Sequence, residues 1–188
     1  MMPSGPVLLA EDNPDDVLLV RLGFKKAGCQ APIHIVSDGE QAVQYLKGEG
    51  QYADRAKFPI PSILLLDLKL PRLNGFEVLS WIRQRPEWKC LPVVVLTTSH
   101  FGKDIEQAYD LGANSFLTKP TDLIEWLTAV KELIRFWLHD SQLPEPGPFV
   151  PAPKESISGR PVPPPGGGSS RSGRRRVRSK SSGARAKR

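Results

Sequence analysis

Cysteine, long apolar runs and acidic residues near the C-terminus are scarce in this 188-residue chain, and each scarcity excludes a class of protein. Two cysteines, Cys29 and Cys90, are too few for a disulfide framework and lack metal-ligand spacing, so we interpret them as thiols in a reducing cytoplasm. No apolar run exceeds about five residues, whereas a membrane-spanning helix needs about 20. The apolar segment Val7–Ala10 is too short for a secretory signal. We therefore expect a cytoplasmic protein without a transmembrane segment.

The net charge of +6 is unevenly distributed. Residues 141–188 carry 11 Lys and Arg against 2 Glu, whereas residues 1–140 carry 15 Lys and Arg against 18 Asp and Glu. Pro, Gly and Ser make up 25 of the last 48 residues, a composition that cannot bury enough apolar surface to offset the cost of ordering a backbone. We predict a folded domain over residues 5–140 and a disordered, Pro/Gly/Ser-rich basic tail over residues 141–188.

Short apolar runs alternate with helical patterns along the first 140 residues. Strands that are apolar almost throughout are typical of a parallel sheet that is covered by helices on both faces. We therefore predict an α/β fold with a doubly wound, five-stranded parallel sheet and flanking helices. The predicted strands are PVLLA (6–10), IHIV (33–36), SILLLD (62–67), PVVVLT (92–97) and NSFLT (114–118).

The starts of the first two helices carry capping signals. Asn13 followed by Pro14 is typical of an N-cap and the first helical position. Ser37 and Glu40 match the spacing of a capping box, which predicts that the second helix begins at Ser37.

The last helix, predicted over residues 122–139, is apolar on more than one face. One face, expected to pack on the sheet, contains Leu123, Leu127, Val130, Ile134 and Leu138. The residues expected off that face are Trp126, Leu133, Phe136 and Trp137. A helix of this kind is deeply buried or meets a partner, so we expect a homodimer through helix four, strand five and helix five. Alternatively, the tryptophan side chains cover the segment that follows from Gln142.

Polar residues stand at the ends of four predicted strands. Ligands of an open parallel sheet bind beyond the carboxyl ends of its strands, so these positions are candidates for a site. Asn13, Asp15 and Asp16, which lie nearby, are interpreted as caps of the first helix. The strand-end candidates are Glu11, Asp12, Asp67, Thr97 and Lys119.

The three acidic candidates would repel one another unless a cation accompanied them. Two unit charges 4 Å apart at an effective dielectric constant near 20 repel by about 4 kcal/mol. Oxygen ligands with open positions suit Mg²⁺, which would shield Asp67 as its carboxylate attacks a phosphoryl group. Lys119 and the hydroxyl of Thr97 would then hold the other oxygens of that group.

In order and spacing, Glu11-Asp12, Asp67, Thr97 and Lys119-Pro120 resemble the active-site set of two-component receiver domains. The segment LLLDLKLPRLNGFEVL around Asp67 resembles the acceptor segment of that family. EDNPDD, YLKGEG, LTTS and FWLHDSQLP further resemble the small single-domain response regulators that partner cyanobacterial phytochromes and bacteriophytochromes. This narrower likeness implies a phytochrome-type sensor histidine kinase as partner and leaves other hybrid kinases open.

The resemblance also implies a role for each residue. Asp67 would accept the phosphoryl group, and Thr97 and Lys119 would contact it. Asp12 and Asp67 would ligate Mg²⁺ directly, together with the backbone carbonyl of Lys69, whereas Glu11 would act through water. Phe116 occupies the aromatic switch position and would move inward together with Thr97. Such a chain is a signalling protein that catalyses only its own phosphorylation and dephosphorylation.

Lys69 differs from the commonest receiver pattern, because it places a cation where hydrolytic water would approach. We hypothesise that it alters autodephosphorylation. Lys69 also argues against a phosphatase of the haloacid dehalogenase type, which needs a second Asp two residues after the nucleophile.

A different function is possible for the basic tail. Nine Lys and Arg in residues 171–188 would bind nucleic acid by counterion release, which makes a receiver with a nucleic-acid-binding tail the alternative function. The same run of cations would also suit an acidic protein or an anionic membrane surface.

Overall fold

A computed structural model describes residues 5–143, so the predicted tail lies outside the described residues apart from its first three positions. Five strands alternate with five α-helices, and each strand is followed by a helix. The strands are β1 (Val7–Ala10), β2 (Ile33–Val36), β3 (Ile63–Leu66), β4 (Val93–Thr97) and β5 (Ser115–Thr118). The helices are α1 (Pro14–Lys26), α2 (Gly39–Lys47), α3 (Gly75–Arg83), α4 (Gly102–Asp110) and α5 (Leu123–Ile134). Short 3₁₀ turns span Gly50–Tyr52 and Pro86–Trp88.

The strands form one parallel sheet in the order β2-β1-β3-β4-β5. The predicted doubly wound α/β fold is therefore confirmed. Ala10 of β1 pairs with Leu66 of β3, and Thr97 of β4 pairs with Thr118 of β5. Because the strands run in the same direction, the residues that follow them meet at one edge of the sheet.

The sheet separates two apolar clusters. One face packs against α2, α3 and α4, and the opposite face packs against α1 and α5. β1, β3 and β4 are buried along their whole length, as their continuous apolar sequence predicts. On the second face α1 and α5 approach closely, because a β-carbon on Gly23 would lie 2.4 Å from a methyl group of Val130.

The start of α2 differs from its prediction. Asp38, not Ser37, is the N-cap, and its side chain accepts a hydrogen bond from the backbone amide of Gln41. A reciprocal capping box occurs instead at α3, between Asn74 and Glu77. At α1 the prediction is confirmed, since Asn13 caps the helix by accepting a hydrogen bond from the amide of Asp15.

The buried face of α5 also differs from its prediction. Trp126 and Leu133, expected outside that face, are buried in the α1–α5 cluster together with Val130 and Ile134, whereas Leu123 is exposed. The close approach of α1 at Gly23 selects the face of α5 that is centred on Val130. After Ile134 the chain continues as a π-helix over Arg135–Asp140, in which Phe136 is exposed.

Helix α4 is held less firmly than the others. Ala108 is its single buried residue, and Phe101 at its N-cap position contributes no side-chain hydrogen bond. Each of the other four described α-helices buries at least three residues and has a side-chain N-cap.

The helices are short. The longest α-helix, α1, has 13 residues, and α5 with its π-helical continuation spans residues 123–140, whereas a membrane span needs about 20 residues. Within residues 5–143, none of the helices has the length and apolar character required to cross a bilayer.

Candidate functional site

Three acidic side chains meet where β1 and β3 end. Glu11 and Asp12 follow β1, and Asp67 follows β3, its neighbour in the sheet. One carboxylate oxygen from each of the three residues lies within 4.8 Å of the other two. Glu11 and Asp67 are buried, whereas Asp12 is exposed. The structure thus brings together the three carboxylates that the sequence singled out.

Lys119 reaches the same place from the end of β5. Its Nζ atom lies 2.6 Å from Glu11 Oε2, 2.9 Å from Asp67 Oδ2 and 3.0 Å from Asp16 Oδ2. The Lys119 side chain is 4% exposed, so these ion pairs are shielded from solvent. The ammonium group therefore links carboxylates that come from three segments of the chain.

Asp16 was missed as a site residue. The sequence interpretation assigned it to helix capping, but Asn13 makes the cap and the Asp16 side chain binds Lys119. The sequence did contain a signal, because two acidic residues, Asp15 and Asp16, stand in the first turn of a helix that begins beside the site. One acidic residue is enough to complement the helix dipole, so the second was available for another role.

Burial and charge shift the pKa values in opposite directions at this site. Burial raises the pKa of Glu11 to about 7, although the hydrogen bond from Lys119 opposes the shift. For Lys119, burial would lower the pKa, but the hydrogen bond to Glu11 and the charge of Asp67 outweigh it and raise the pKa above its ordinary value. Lys119 is therefore charged at neutral pH, whereas Glu11, with a pKa near that pH, is partly protonated.

Both carboxylate oxygens of Asp67 are held in place. Oδ1 accepts a hydrogen bond from the backbone amide of Lys69 at 3.1 Å, and Oδ2 accepts one from Lys119. The segment 68–74, here named the acceptor loop, leads from Asp67 to α3. Gly75, which follows this loop at the start of α3, lies so close to the strand that a β-carbon would be 2.3 Å from the carbonyl oxygen of Asp67. A larger residue at this position would displace the acceptor backbone.

Thr97 is fully buried at the end of β4, and its hydroxyl is already engaged. Its Oγ1 atom accepts a hydrogen bond from the amide of Ser99 at 3.3 Å. Ser99, which the sequence did not single out, is buried and donates its own hydroxyl hydrogen bond to Asp104 in the first turn of α4. The carbonyl of Ser99 accepts a hydrogen bond from Thr118, the residue before Lys119. Ser99 therefore links three elements around the site.

Two further predicted residues lie farther from the carboxylates. Phe116 is half-buried on β5, opposite Val95, and packs against the cluster on the α2–α4 face. The Lys69 side chain is exposed, and its Nζ atom donates to Thr98 Oγ1 at 3.2 Å. This contact joins the acceptor loop to the residue that follows Thr97.

The donor set fits a hard divalent cation. It consists of carboxylate oxygens, with no sulfur or imidazole ligand in the cluster. Oxygen ligands of this kind suit Mg²⁺ or Mn²⁺. The excess of negative charge over Lys119 favours a cation as well.

Comparisons with known proteins agree with this geometry. The response regulator receiver domain family matches residues 7–131. The response regulator Rcp1 of Synechocystis sp. is 39% identical over 142 residues, which are 76% of this chain and 95% of Rcp1. The crystal structure of Mn²⁺-bound Rcp1 superposes with a TM-score of 0.70 and covers 76% of this chain and 99% of the Rcp1 chain.

Two further solved structures are similar to the same extent. The phosphorylated cyanobacterial phytochrome response regulator RcpA is 38% identical, with a TM-score of 0.70 over 74% of this chain and 97% of that chain. RPA3017, a response regulator in red light signaling of R. palustris, is 39% identical, with a TM-score of 0.70 over 74% of this chain and 98% of that chain. From the family match and these relatives, this chain belongs to the response regulator receiver domain family, and it is a two-component signalling protein.

Proposed function

We propose that Asp67 accepts a phosphoryl group from the phosphohistidine of a sensor histidine kinase. The observation that carries this assignment is the position of the Asp67 carboxylate, which contacts the ammonium group of Lys119 and has an oxygen within 4.8 Å of oxygens of Glu11 and Asp12. An oxygen of Asp67 forms a bond to phosphorus as the bond between phosphorus and the imidazole nitrogen breaks. The imidazole keeps the electron pair and takes up a proton, and Asp67 becomes an acyl phosphate.

Lys119 and Thr97 hold the oxygens of the incoming group. Lys119 already donates to Asp67 Oδ2 at 2.9 Å, so it need move little to meet a phosphoryl oxygen bound there. Thr97 must release the Ser99 amide when its hydroxyl turns toward that oxygen. Both groups stabilise negative charge that grows during transfer.

Mg²⁺ is the proposed cofactor. Asp12, Asp67 and the backbone carbonyl of Lys69 would hold it directly, and Glu11 would act through water. When bound, Mg²⁺ offsets the charge of the clustered carboxylates and of the phosphoryl oxygens. This assignment is supported by the acidic cluster and by the Mn²⁺-bound structure of Rcp1.

The output is a conformational change that begins at Thr97 and Phe116. Ser99 is bonded to both Thr97 and Asp104, so when Thr97 turns toward the phosphate and releases the Ser99 amide, the loop that leads into α4 is free to shift. Phe116 is half-buried beside this region and would move inward by packing alone, because it has no hydroxyl to change partners.

We further propose a homodimer through the face made by α4, β5 and α5. The exposed apolar residues that support it differ in part from those expected, because Trp126 and Leu133 are buried within the domain. Large apolar side chains exposed on α4 and α5 are Phe101, Tyr109, Leu123 and Ile124. Ile124→Lys should therefore raise the dimer dissociation constant in analytical ultracentrifugation.

The proposed kinase partner is of the phytochrome type. RcpA is a phytochrome response regulator, RPA3017 acts in red light signaling, and both cover about three quarters of this chain. Because a histidine kinase uses ATP, we place the protein in the cytoplasm.

The basic tail carries the second candidate function. Nine cations in residues 171–188 favour salt-dependent binding of nucleic acid over sequence-specific recognition. Electrophoretic retardation of DNA by the full chain, but not by a chain ending at residue 143, would support it.

The acceptor is tested by intact mass measurement after incubation with acetyl phosphate and Mg²⁺. The wild type should gain one phosphoryl group, and Asp67→Asn should gain none. Asp54→Asn is the matched control, because Asp54 is an exposed aspartate whose side chain accepts hydrogen bonds from the backbone amides of Ala56 and Lys57. Equal mass gain in wild type and Asp67→Asn would place the acceptor elsewhere.

A further inference from the structure

The acceptor loop contributes to the site through its backbone. The amide of Lys69 donates to Asp67, and the carbonyl of the same residue is the proposed metal ligand. Both groups belong to the backbone, so their positions depend on the path of the loop and not on a side-chain rotamer. What fixes the path of the loop therefore also fixes the site.

Arg72, in the second half of this loop, has an unusual backbone conformation. Its φ angle is 65°, the one positive φ of a non-glycine residue within the described part of the chain. Residues with a β-carbon rarely adopt this left-handed region, and asparagine and aspartate tolerate it best. An arginine held there needs a compensating contact.

That contact is an ion pair with the start of α2. The Arg72 guanidinium lies 3.1 Å from Asp38 Oδ2 and 3.7 Å from Glu40 Oε2. The loop also touches α2 directly, because a β-carbon on Gly39 would lie 1.9 Å from the carbonyl oxygen of Leu73. The second half of the acceptor loop is thus seated on the first turn of α2.

Asp38 is the fixed side of this pair. Its side chain is 3% exposed, its Oδ1 accepts the capping hydrogen bond from the Gln41 amide at 2.8 Å, and its Oδ2 accepts one from Gln41 Nε2 at 2.6 Å. These bonds hold the carboxylate in position without help from the loop. Arg72, whose side chain is 59% exposed, is the partner whose position is fixed by the ion pair.

We propose that Arg72 is a positioning residue for the acceptor site. Its ion pair with Asp38 fixes the course of the acceptor loop, so that the Lys69 amide meets Asp67 and the Lys69 carbonyl faces the acidic cluster. The consequence is a higher affinity for the divalent cation. The inference rests on the proposed metal and phosphoryl chemistry at Asp67, and it assigns to α2 a role in that chemistry.

The test measures the Mg²⁺ dissociation constant of full-length variants by isothermal titration calorimetry. Arg72→Asn retains a residue that tolerates positive φ but removes the charge, so it should weaken Mg²⁺ binding about tenfold, the low end of what loss of a partner outside the ligand shell causes. Arg72→Lys should recover part of the loss. Arg21→Asn, on the exposed surface of α1, is the matched control and should bind as the wild type does.

A double-mutant cycle with Asp38→Asn separates positioning from general stability. Asparagine is also a good N-cap, so this variant keeps the start of α2 while it loses the ion pair. It should weaken Mg²⁺ binding as much as Arg72→Asn does, and the double variant should bind no worse than either single variant. Additive losses in the double variant would show that the two residues act independently and would overturn the proposal.

Other outcomes distinguish this inference from the proposed function. If Arg72→Asn binds Mg²⁺ within about twofold of the wild-type affinity, the inference is overturned while the proposed function stands. This holds even if the variant has a lower melting temperature, because a purely structural role of Arg72 would give that result. A wild-type chain that neither binds Mg²⁺ nor gains a phosphoryl group would overturn the proposed function and the inference with it.

Discussion

Without a divalent cation, the protein should lose stability as pH rises from 5 to 8, and Glu11 should be the main cause. Burial raises the pKa of Glu11 from 4.5 to about 7, so the folded protein keeps a proton that the unfolded chain releases near its ordinary value. Between these pH values the folded state binds more protons, and the free energy of unfolding falls as pH rises. The full effect is on the order of 3 kcal/mol.

Two other groups need consideration in this pH range. The pKa of Lys119 is raised above its ordinary value, so its charge does not change between pH 5 and 8. Burial lowers the pKa of His34, which makes the fold more stable as pH rises through its titration and opposes the effect of Glu11. A comparison with a variant that retains His34 cancels this contribution.

Glu11→Gln retains His34 and removes the titrating carboxyl group. The amide oxygen of the glutamine can still accept the hydrogen bond from Lys119. Urea unfolding in EDTA should give similar stabilities for variant and wild type at pH 5, where Glu11 holds its proton. At pH 8 the variant should be more stable by about 2–3 kcal/mol. Glu106→Gln, at an exposed position on α4, is the control and should follow the wild type.

The reasoning fails if the stability difference between Glu11→Gln and wild type is the same at both pH values. A difference of the opposite sign at pH 8 would show that the ion pair with Lys119 outweighs the cost of burying the Glu11 charge. Saturating Mg²⁺ at pH 8 should stabilise the wild type more than the variant, because the cation favours the ionised carboxylate.

Asp12→Asn removes an exposed charge that lies within 4.8 Å of two other carboxylates, so it should raise the free energy of unfolding in EDTA by about 1 kcal/mol. The same change should abolish stabilisation by Mg²⁺. Unchanged stabilisation by Mg²⁺ would exclude this residue as a ligand. Lys69→Asn removes the contact with Thr98, so water should reach the acyl phosphate more easily and its decay should be about threefold faster, equivalent to about 0.6 kcal/mol in the barrier; an unchanged decay rate would contradict the role of this cation. Gly75→Ala should cost about 2 kcal/mol or more in urea unfolding, because the new β-carbon meets backbone atoms. Gly102→Ala, where the β-carbon meets nothing within 4 Å, should be neutral or slightly stabilising, and equal losses in both variants would refute the steric explanation.

The fold and the centre of the site could be predicted from sequence because both depend on local patterns. Continuous apolar strands require a covered parallel sheet, and a parallel sheet brings the residues after its strands to one edge. Glu11, Asp67 and Lys119 therefore meet although 108 residues separate the first from the last. No side-chain detail was needed for that conclusion.

Other parts depend on contacts that no local pattern reveals. Asp16 binds Lys119 across 103 residues of sequence, and the neighbouring Asp15 is the one local sign that Asp16 does more than complement the helix dipole. The positive φ of Arg72 is equally hidden, because arginine is not a residue that favours that region. Each was accessible only after the elements were assembled.

The α5 prediction was wrong in part, and for a related reason: Val130 and Ile134 are buried as expected, but Trp126 and Leu133 are buried as well and Leu123 is exposed. Leu123, Leu127 and Val130 follow helical spacing, but so do Trp126, Val130 and Leu133, and periodicity alone does not choose between the two faces. The choice is made by α1, whose Gly23 lets the helices approach closely at Val130. Tertiary packing therefore decided what the sequence pattern left open.

The weak attachment of α4 has a consequence for its local unfolding. Because Ala108 is its single buried residue and it has no side-chain cap, this helix loses few stabilising contacts when it detaches from the sheet. Its amide hydrogens should exchange with deuterium through partial openings that leave the other layers intact, while those of α5 exchange close to the rate of global unfolding. Displacing the segment next to Thr97 therefore costs less free energy than displacing any other described helix, and it leaves the rest of the domain folded.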